Sequence, residues 1–148
     1  MNVQRPQQVD PVVSNRMSRV RGRDTKPELA IRSELHRRGL RFRVHQRPLE
    51  SFRRTADIMF RPAMVAVMID GCYWHGCPDH HRPSTKNSAF WREKIASNLK
   101  RDRETNETLS AAGWLVLRFW EHEDPITVAD RIQELIIARR ASLERKSW

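Results

Sequence analysis

The stretch Ala56-Asp57-Ile58-Met59-Phe60-Arg61-Pro62-Ala63-Met64-Val65-Ala66-Val67-Met68-Ile69-Asp70 carries two apolar runs about a single turn signal. Arg61-Pro62 is that signal, because proline fixes a turn dihedral and interrupts a strand. Met64 to Ile69 is apolar without a break, the pattern of a strand buried on both faces and therefore central in its sheet. Ala56 to Phe60 reads as a second strand, and the tight turn makes the two antiparallel. Folding one back on the other about Arg61-Pro62-Ala63 brings Asp57 beside Met68 to Asp70. An acid is thus expected at the edge of the sheet where the central strand ends.

Working outward from this pair, Thr25-Lys26-Pro27-Glu28 reads as a helix start. Thr25 is placed to cap, Glu28 lies three residues later as in a capping box, and Pro27 suits the first turn. Leu29, Ile31 and Leu35 form a rough apolar face, and Gly39 ends the helix. Leu40, Phe42 and Val44 alternate with Arg41 and Arg43 as in an amphipathic strand. On the far side, Asn87 can cap a long helix with Phe90, Trp91, Ile95, Leu99 and Leu109 as its apolar positions, stopped by Gly113. Trp114 to Trp120 is a fourth strand. Asp124-Pro125 opens a last helix with Ile126, Ala129, Ile132, Leu135 and Ile136 on one side.

The order is α-β-β-β-α-β-α, an α/β chain with a mixed central sheet flanked by helices. The third and fourth strands are joined through a helix and should be parallel. Their C-terminal ends then share one edge of the sheet, which brings His122 toward the loop that follows Asp70.

That loop, Gly71-Cys72-Tyr73-Trp74-His75-Gly76-Cys77-Pro78-Asp79-His80-His81, holds both cysteines and half of the six histidines. Two cysteines five positions apart among histidines suit a metal better than a disulfide. Cys72, Cys77 and His122 with one of His80 or His81 make four N/S ligands, the tetrahedral set of a structural zinc. The tight Cys-Pro-x-His turn favours His80. A zinc deaminase would need His-x-Glu and Pro-Cys-x-x-Cys, and both are absent.

The same sheet edge gathers Asp57, a second acid and His75. Oxygen ligands suit magnesium, and a histidine can act as general base near neutral pH, a combination that fits phosphodiester hydrolysis. Composition points the same way. With 28 Lys+Arg against 18 Asp+Glu, a formal charge of +10 and a pI near 10.9, the favoured partner is nucleic acid. Residues 1–15, polar and proline-bearing, read as a flexible arm, and 16–148 as one nuclease domain. Arg16, Arg19, Arg21 and Arg23 around Met17 read as a segment suited to contact DNA. No apolar run approaches the ~18–20 residues of a membrane span, and a cytoplasmic protein is expected.

A core of this order with an acid on its second strand resembles the restriction-endonuclease-like (PD-(D/E)xK) nucleases. No Asp/Glu-x-Lys follows on the third strand, however, since Asp70 precedes Gly71 and Cys72, and His75 takes the place of the usual lysine as the candidate to activate water. Within that group the chain resembles the very-short-patch repair (Vsr) DNA mismatch endonucleases from about Met17 to His122. The motifs are Arg23-Asp24-Thr25-Lys26-Pro27-Glu28, Ala56-Asp57, Asp70 through Pro78, Phe90-Trp91-Arg92-Glu93-Lys94-Ile95, Asn98 with Arg101-Asp102, and Gly113-Trp114 through Trp120-Glu121-His122.

The resemblance implies an enzyme that nicks one strand beside the thymine of a T:G mismatch, the product of 5-methylcytosine deamination. It implies Mg²⁺ on Asp57 and the Ile69 backbone carbonyl, His75 as acid–base catalyst and Glu28 in support. Tyr73, Trp74 and Trp91 would wedge into double-stranded DNA, with Met17 entering from the other side and Lys94 and Asn98 among the DNA-binding residues. A mismatched step costs least to open, which suits aromatic wedges. Three positions differ from other members. Asp70 stands where some carry histidine, and could bind metal or orient His75. Tyr73 replaces a common phenylalanine, and His122 replaces a cysteine zinc ligand. A functional link to a cytosine-5 DNA methyltransferase and mismatch-repair proteins is also implied, and a nick on one strand needs only a monomer.

Overall fold

The computed structural model describes residues 25–72 and 88–146. Among them run helix α1 (Lys26–Arg37), strands β1 (Arg43–Gln46), β2 (Ala56–Phe60) and β3 (Val65–Asp70), helix α2 (Ser88–Ala111), strand β4 (Leu115–Trp120) and helix α3 (Pro125–Lys146). The sheet order is β1-β2-β3-β4. β2 is antiparallel to both β1 and β3, whereas β3 and β4 are parallel with Val65 opposite Leu115 and Asp70 opposite Trp120. The expected element order and strand directions are those observed.

β3 is central because its side chains can be buried on both faces. Val65, Val67 and Ile69 pack with Ile58 and Phe60 of β2 against Ile31 and Leu35 of α1 and Val128, Ala129, Ile132 and Ile136 of α3. Ala66 and Met68 face the other way, with Met59, Leu109 of α2 and Trp114. The alternation along one continuous apolar strand therefore builds a three-layer sandwich. Asp70, at the end of the second of these rows, emerges on the α2 side.

Local chemistry fixes the boundaries. Gly39 (φ 78°) and Gly113 (φ 94°) occupy left-handed positions after α1 and α2. In each case the following N–H reaches back five residues, Leu40 to the Leu35 carbonyl at 3.1 Å and Trp114 to the Leu109 carbonyl at 3.0 Å, the Schellman termination. Asp124 caps α3, accepting from the Thr127 N–H at 3.0 Å. Arg139 of α3 donates to the carbonyls of Ala63 and Gly113, tying together the residues that precede β3 and β4.

Four details differ from the sequence reading. Thr25 makes no side-chain cap bond, and the Glu28 carboxylate is drawn to Arg32 and His45. β1 begins at Arg43 rather than Leu40, the residues before it serving the glycine termination of α1. Leu99 and Ile126 are exposed. Thr105 and Val128, not these two, lie at the buried positions of their helices.

Candidate active site

Asp57 enters β2 one residue after its start, opposite the end of β3. Its Oδ2 accepts the Ile69 N–H at 2.7 Å, the juxtaposition expected from folding the hairpin. Burial pushes its carboxyl up from the ordinary 3.8 to about 6, despite the Ile69 hydrogen bond. The negative charges of Glu28 and Asp70 add to that rise and His45 opposes it. A buried carboxylate beside another carboxylate lacks positive charge, and that shortfall suits a cation.

Glu28 of α1 lies 4% exposed beside it. Its Oε2 receives the Arg32 guanidinium at 2.5 Å and stands 3.0 Å from His45 Nε2. Glu28, His45 and Asp57 each bring a ligand atom within 4.8 Å of the others, the one such trio found among the described residues. The carboxylate oxygens are hard donors of the kind magnesium prefers, and the residues present therefore fit a divalent cation here.

A cleft of about 530 Å³ opens in front of these acids. Its lining includes Glu28, Arg54, Asp57, Ile69, Asp70 and Arg118, together with Lys94, Asn98, Arg101, Asp102 and Thr105 of α2. The last five fall at helical spacing along one stripe of α2. The helix thus turns a polar, partly basic face to the cleft and keeps Leu109 for the core.

Asp70 has other partners. Arg118 reaches across from β4 and places Nη1 at 2.9 and 3.2 Å from the two Asp70 oxygens. The same guanidinium donates through Nε to Asn106 Oδ1 at 2.8 Å and stands 3.5 Å from the Asp102 carboxylate. The acid on β3 is thus neutralised from within the fold, while that on β2 is not.

At the same edge Cys72 Sγ lies 3.2 Å from His122 Nδ1, within reach of one shared ion. Glu121 fixes this corner, donating its N–H to the Asp70 carbonyl at 2.9 Å and accepting the Cys72 N–H at 2.7 Å. Met17, Tyr73, Trp74, His75, Cys77 and His80 lie outside the described residues. Trp91 is 8% exposed, edge-on to Phe90 at 5.0 Å between centroids. Lys94 and Asn98 line the cleft.

Sequence reasoning missed His45, Arg54 and Arg118. A lone arginine in the otherwise apolar Leu115-Val116-Leu117-Arg118-Phe119-Trp120 was a signal for the last, because a charge within a sheet needs a partner. His45 gave none, sitting among exposed arginines in a short edge strand.

A family model described as DNA mismatch endonuclease Vsr matches residues 10–82. The type II nicking enzyme V.NaeI of Lentzea aerocolonigenes is 46% identical over 113 residues, covering 75% of this chain and 68% of that protein. The DNA mismatch endonuclease Vsr of Escherichia coli (strain K12) is 31% identical over 144 residues, covering 88% of this chain and 87% of that protein. Among solved structures, the catalytic domain of the homing endonuclease I-Bth0305I aligns with a TM-score of 0.54 at 19% identity, over 78% of this chain and 98% of that one. That likeness concerns the fold.

Proposed function

The chain belongs to the Vsr family of DNA endonucleases, and on that premise we propose that it nicks one strand of double-stranded DNA beside a T:G mismatch in a magnesium-dependent reaction. The observation that carries this reading is the buried Asp57 carboxylate on the Ile69 N–H, short of positive charge and facing a cleft with basic residues on its wall.

Asp57 and the Ile69 carbonyl would hold the metal, with Glu28 beside them. When bound, the ion polarises the scissile phosphate and offsets charge that develops on its oxygens. Lys94 and Arg101 hold the strand by its phosphates along the α2 stripe. His75 takes the proton of the attacking water and returns one to the leaving 3′ oxygen. Tyr73 and Trp74 enter the base stack with Met17 opposite, and the weak mismatched step selects where the duplex opens. Trp91, which lies edge-on to Phe90, is the third aromatic wedge.

Cys72, Cys77, His80 and His122 hold a structural zinc that aims the loop. The 3.2 Å approach of Cys72 to His122 supports the pairing of these two ligands. The protein works as a monomer in the cytoplasm, in the wake of a cytosine-5 DNA methyltransferase and alongside mismatch-repair proteins.

A second reading has support in the names of several relatives, which are type II nicking enzymes. Nicking would then follow the surrounding sequence more than the mismatch. A nicking assay across duplexes carrying each mismatch in varied flanks decides between them. Cleavage confined to T:G supports the proposal, and equal cleavage of fully paired duplex overturns it. Asp57→Ala should lower the nicking rate about 10³-fold, equivalent to ~4 kcal/mol of lost transition-state stabilisation, while mismatched duplex still binds. Mg²⁺-dependent nicking near the parent rate in that variant would remove Asp57 from the centre. Elemental analysis should find one zinc per chain and less in His122→Ala. Full retention there would take His122 out of the ligand set.

A further inference from the structure

We infer that His45, acting with Arg32 from behind the cleft wall, is a positioning residue that fixes the Glu28 carboxylate so that Glu28 and Asp57 can face one divalent cation together. The inference rests on the magnesium reading above and names a residue that the reading does not require.

Three observations carry it. The first is layering. Glu28 and Asp57 line the cleft, but His45 and Arg32 do not, although both touch Glu28. They form a rear support, not part of the binding surface. The second is the atom they share. Arg32 Nη2 lies 2.5 Å and His45 Nε2 3.0 Å from the same oxygen, Glu28 Oε2, with Arg32 Nη2 and His45 Nε2 3.0 Å apart. Two groups on one oxygen set the plane of the carboxylate, and Oε1 is used by neither. The third is backbone cost. His45 has φ 51° in the middle of β1, a conformation that non-glycine residues avoid and that costs of order 1–3 kcal/mol. The strand holds this conformation with the imidazole almost fully enclosed, its side chain 10% exposed between half-buried Val44 and exposed Gln46.

These features meet a specific electrostatic need. Two carboxylates whose ligand atoms lie within 4.8 Å repel each other when both are ionised. A guanidinium and an imidazole behind Glu28 relieve part of that repulsion, and a dication in front relieves the rest. Groups of this kind behind a ligand typically affect metal affinity or activity about 10–100-fold.

The test uses His45→Gly, which removes the imidazole and makes the left-handed backbone favourable, and His45→Asn, which tolerates that backbone and restores a polar side chain. Mn²⁺ binding is followed in the full-length protein by the electron paramagnetic resonance signal of the free ion, with Mg²⁺-dependent nicking as second readout. His45→Gly should fold with a thermal midpoint no lower than the parent. Its Mn²⁺ dissociation constant and the Mg²⁺ concentration for half-maximal nicking should each rise about 10–100-fold, and added imidazole should recover part of both. His45→Asn should fall between. Unchanged Mn²⁺ binding in a folded His45→Gly protein overturns the inference and leaves the magnesium reading standing, provided that Asp57→Ala abolishes binding. If the parent protein shows no Asp57-dependent Mn²⁺ binding, the magnesium reading and the inference fall together.

Discussion

Asp57 and Asp70 sit at the same edge of the same sheet, and the fold treats them oppositely. Asp70 is met by Arg118 through both of its oxygens. Asp57 receives one backbone N–H and faces Glu28 and His45, and burial drives its carboxyl up to about 6. One acid is neutralised by the fold itself. The other keeps an unmet demand for positive charge, and such a demand can be answered by a metal ion. Position on a strand places an acid at a site, and its partners decide what it does there.

The widest separation is expected in catalysis. Asp57→Ala should lose nicking about 10³-fold, whereas Asp70→Asn, which can still accept from Arg118, should stay within about tenfold of the parent. Equal losses in the two would erase the distinction and return Asp70 to the metal site.

Folding should separate them in the reverse sense. Arg118→Met leaves Asp70 largely buried without its counter-ion and should cost about 3 kcal/mol in urea denaturation. Adding Asp70→Leu should recover most of that loss, because no unpaired charge then remains. For Asp57 the sign is inverted. Its folded pKa of about 6 lies above the ordinary 3.8, so between these values the native state binds more protons than the unfolded chain. Stability contributed by this group is therefore fully present below about pH 4 and lost as pH rises through 6. In metal-free protein at pH 7.5, Asp57→Asn should be stabilising by on the order of 2 kcal/mol, with the gain vanishing below pH 4. A destabilised Asn variant would show that Asp57 is not short of positive charge. Metal binding, which needs the carboxylate, should strengthen over the same rise in pH.

The smallest effect concerns Arg54 on the cleft wall. Arg54 stacks over Phe52 at 5.1 Å and approaches Glu104 only to 3.7 Å. Its buried Nε has no hydrogen-bond partner among the described residues. If it contacts a phosphate, Arg54→Ala should weaken binding about equally across sequences and reduce the salt slope by about one. An unchanged slope would confine Arg54 to packing.

Much of this was legible in the chain itself. Two apolar runs about the Arg61-Pro62 turn signal define a hairpin, and the tight turn brings the start of one strand to the end of the other. The closeness of Asp57 to Ile69 and the parallel pairing that carries His122 to Cys72 follow from connectivity and strand direction, which sequence patterns report. Capping was less legible. Thr25 and Glu28 have the spacing of a capping box, but Glu28 had stronger partners from elsewhere in the fold.

By itself, then, the sequence determined the order of elements, the central strand, the acid at its edge and the sign of the charge that meets DNA. These depend on local periodicity and on composition. Only the tertiary structure decided which acid is met by an arginine and which by a backbone N–H alone, and only there did His45 and Arg118 acquire their carboxylate partners. Both act through side chains that meet partners 17 and 48 residues away, and no local pattern encodes which distant charge a buried side chain will find.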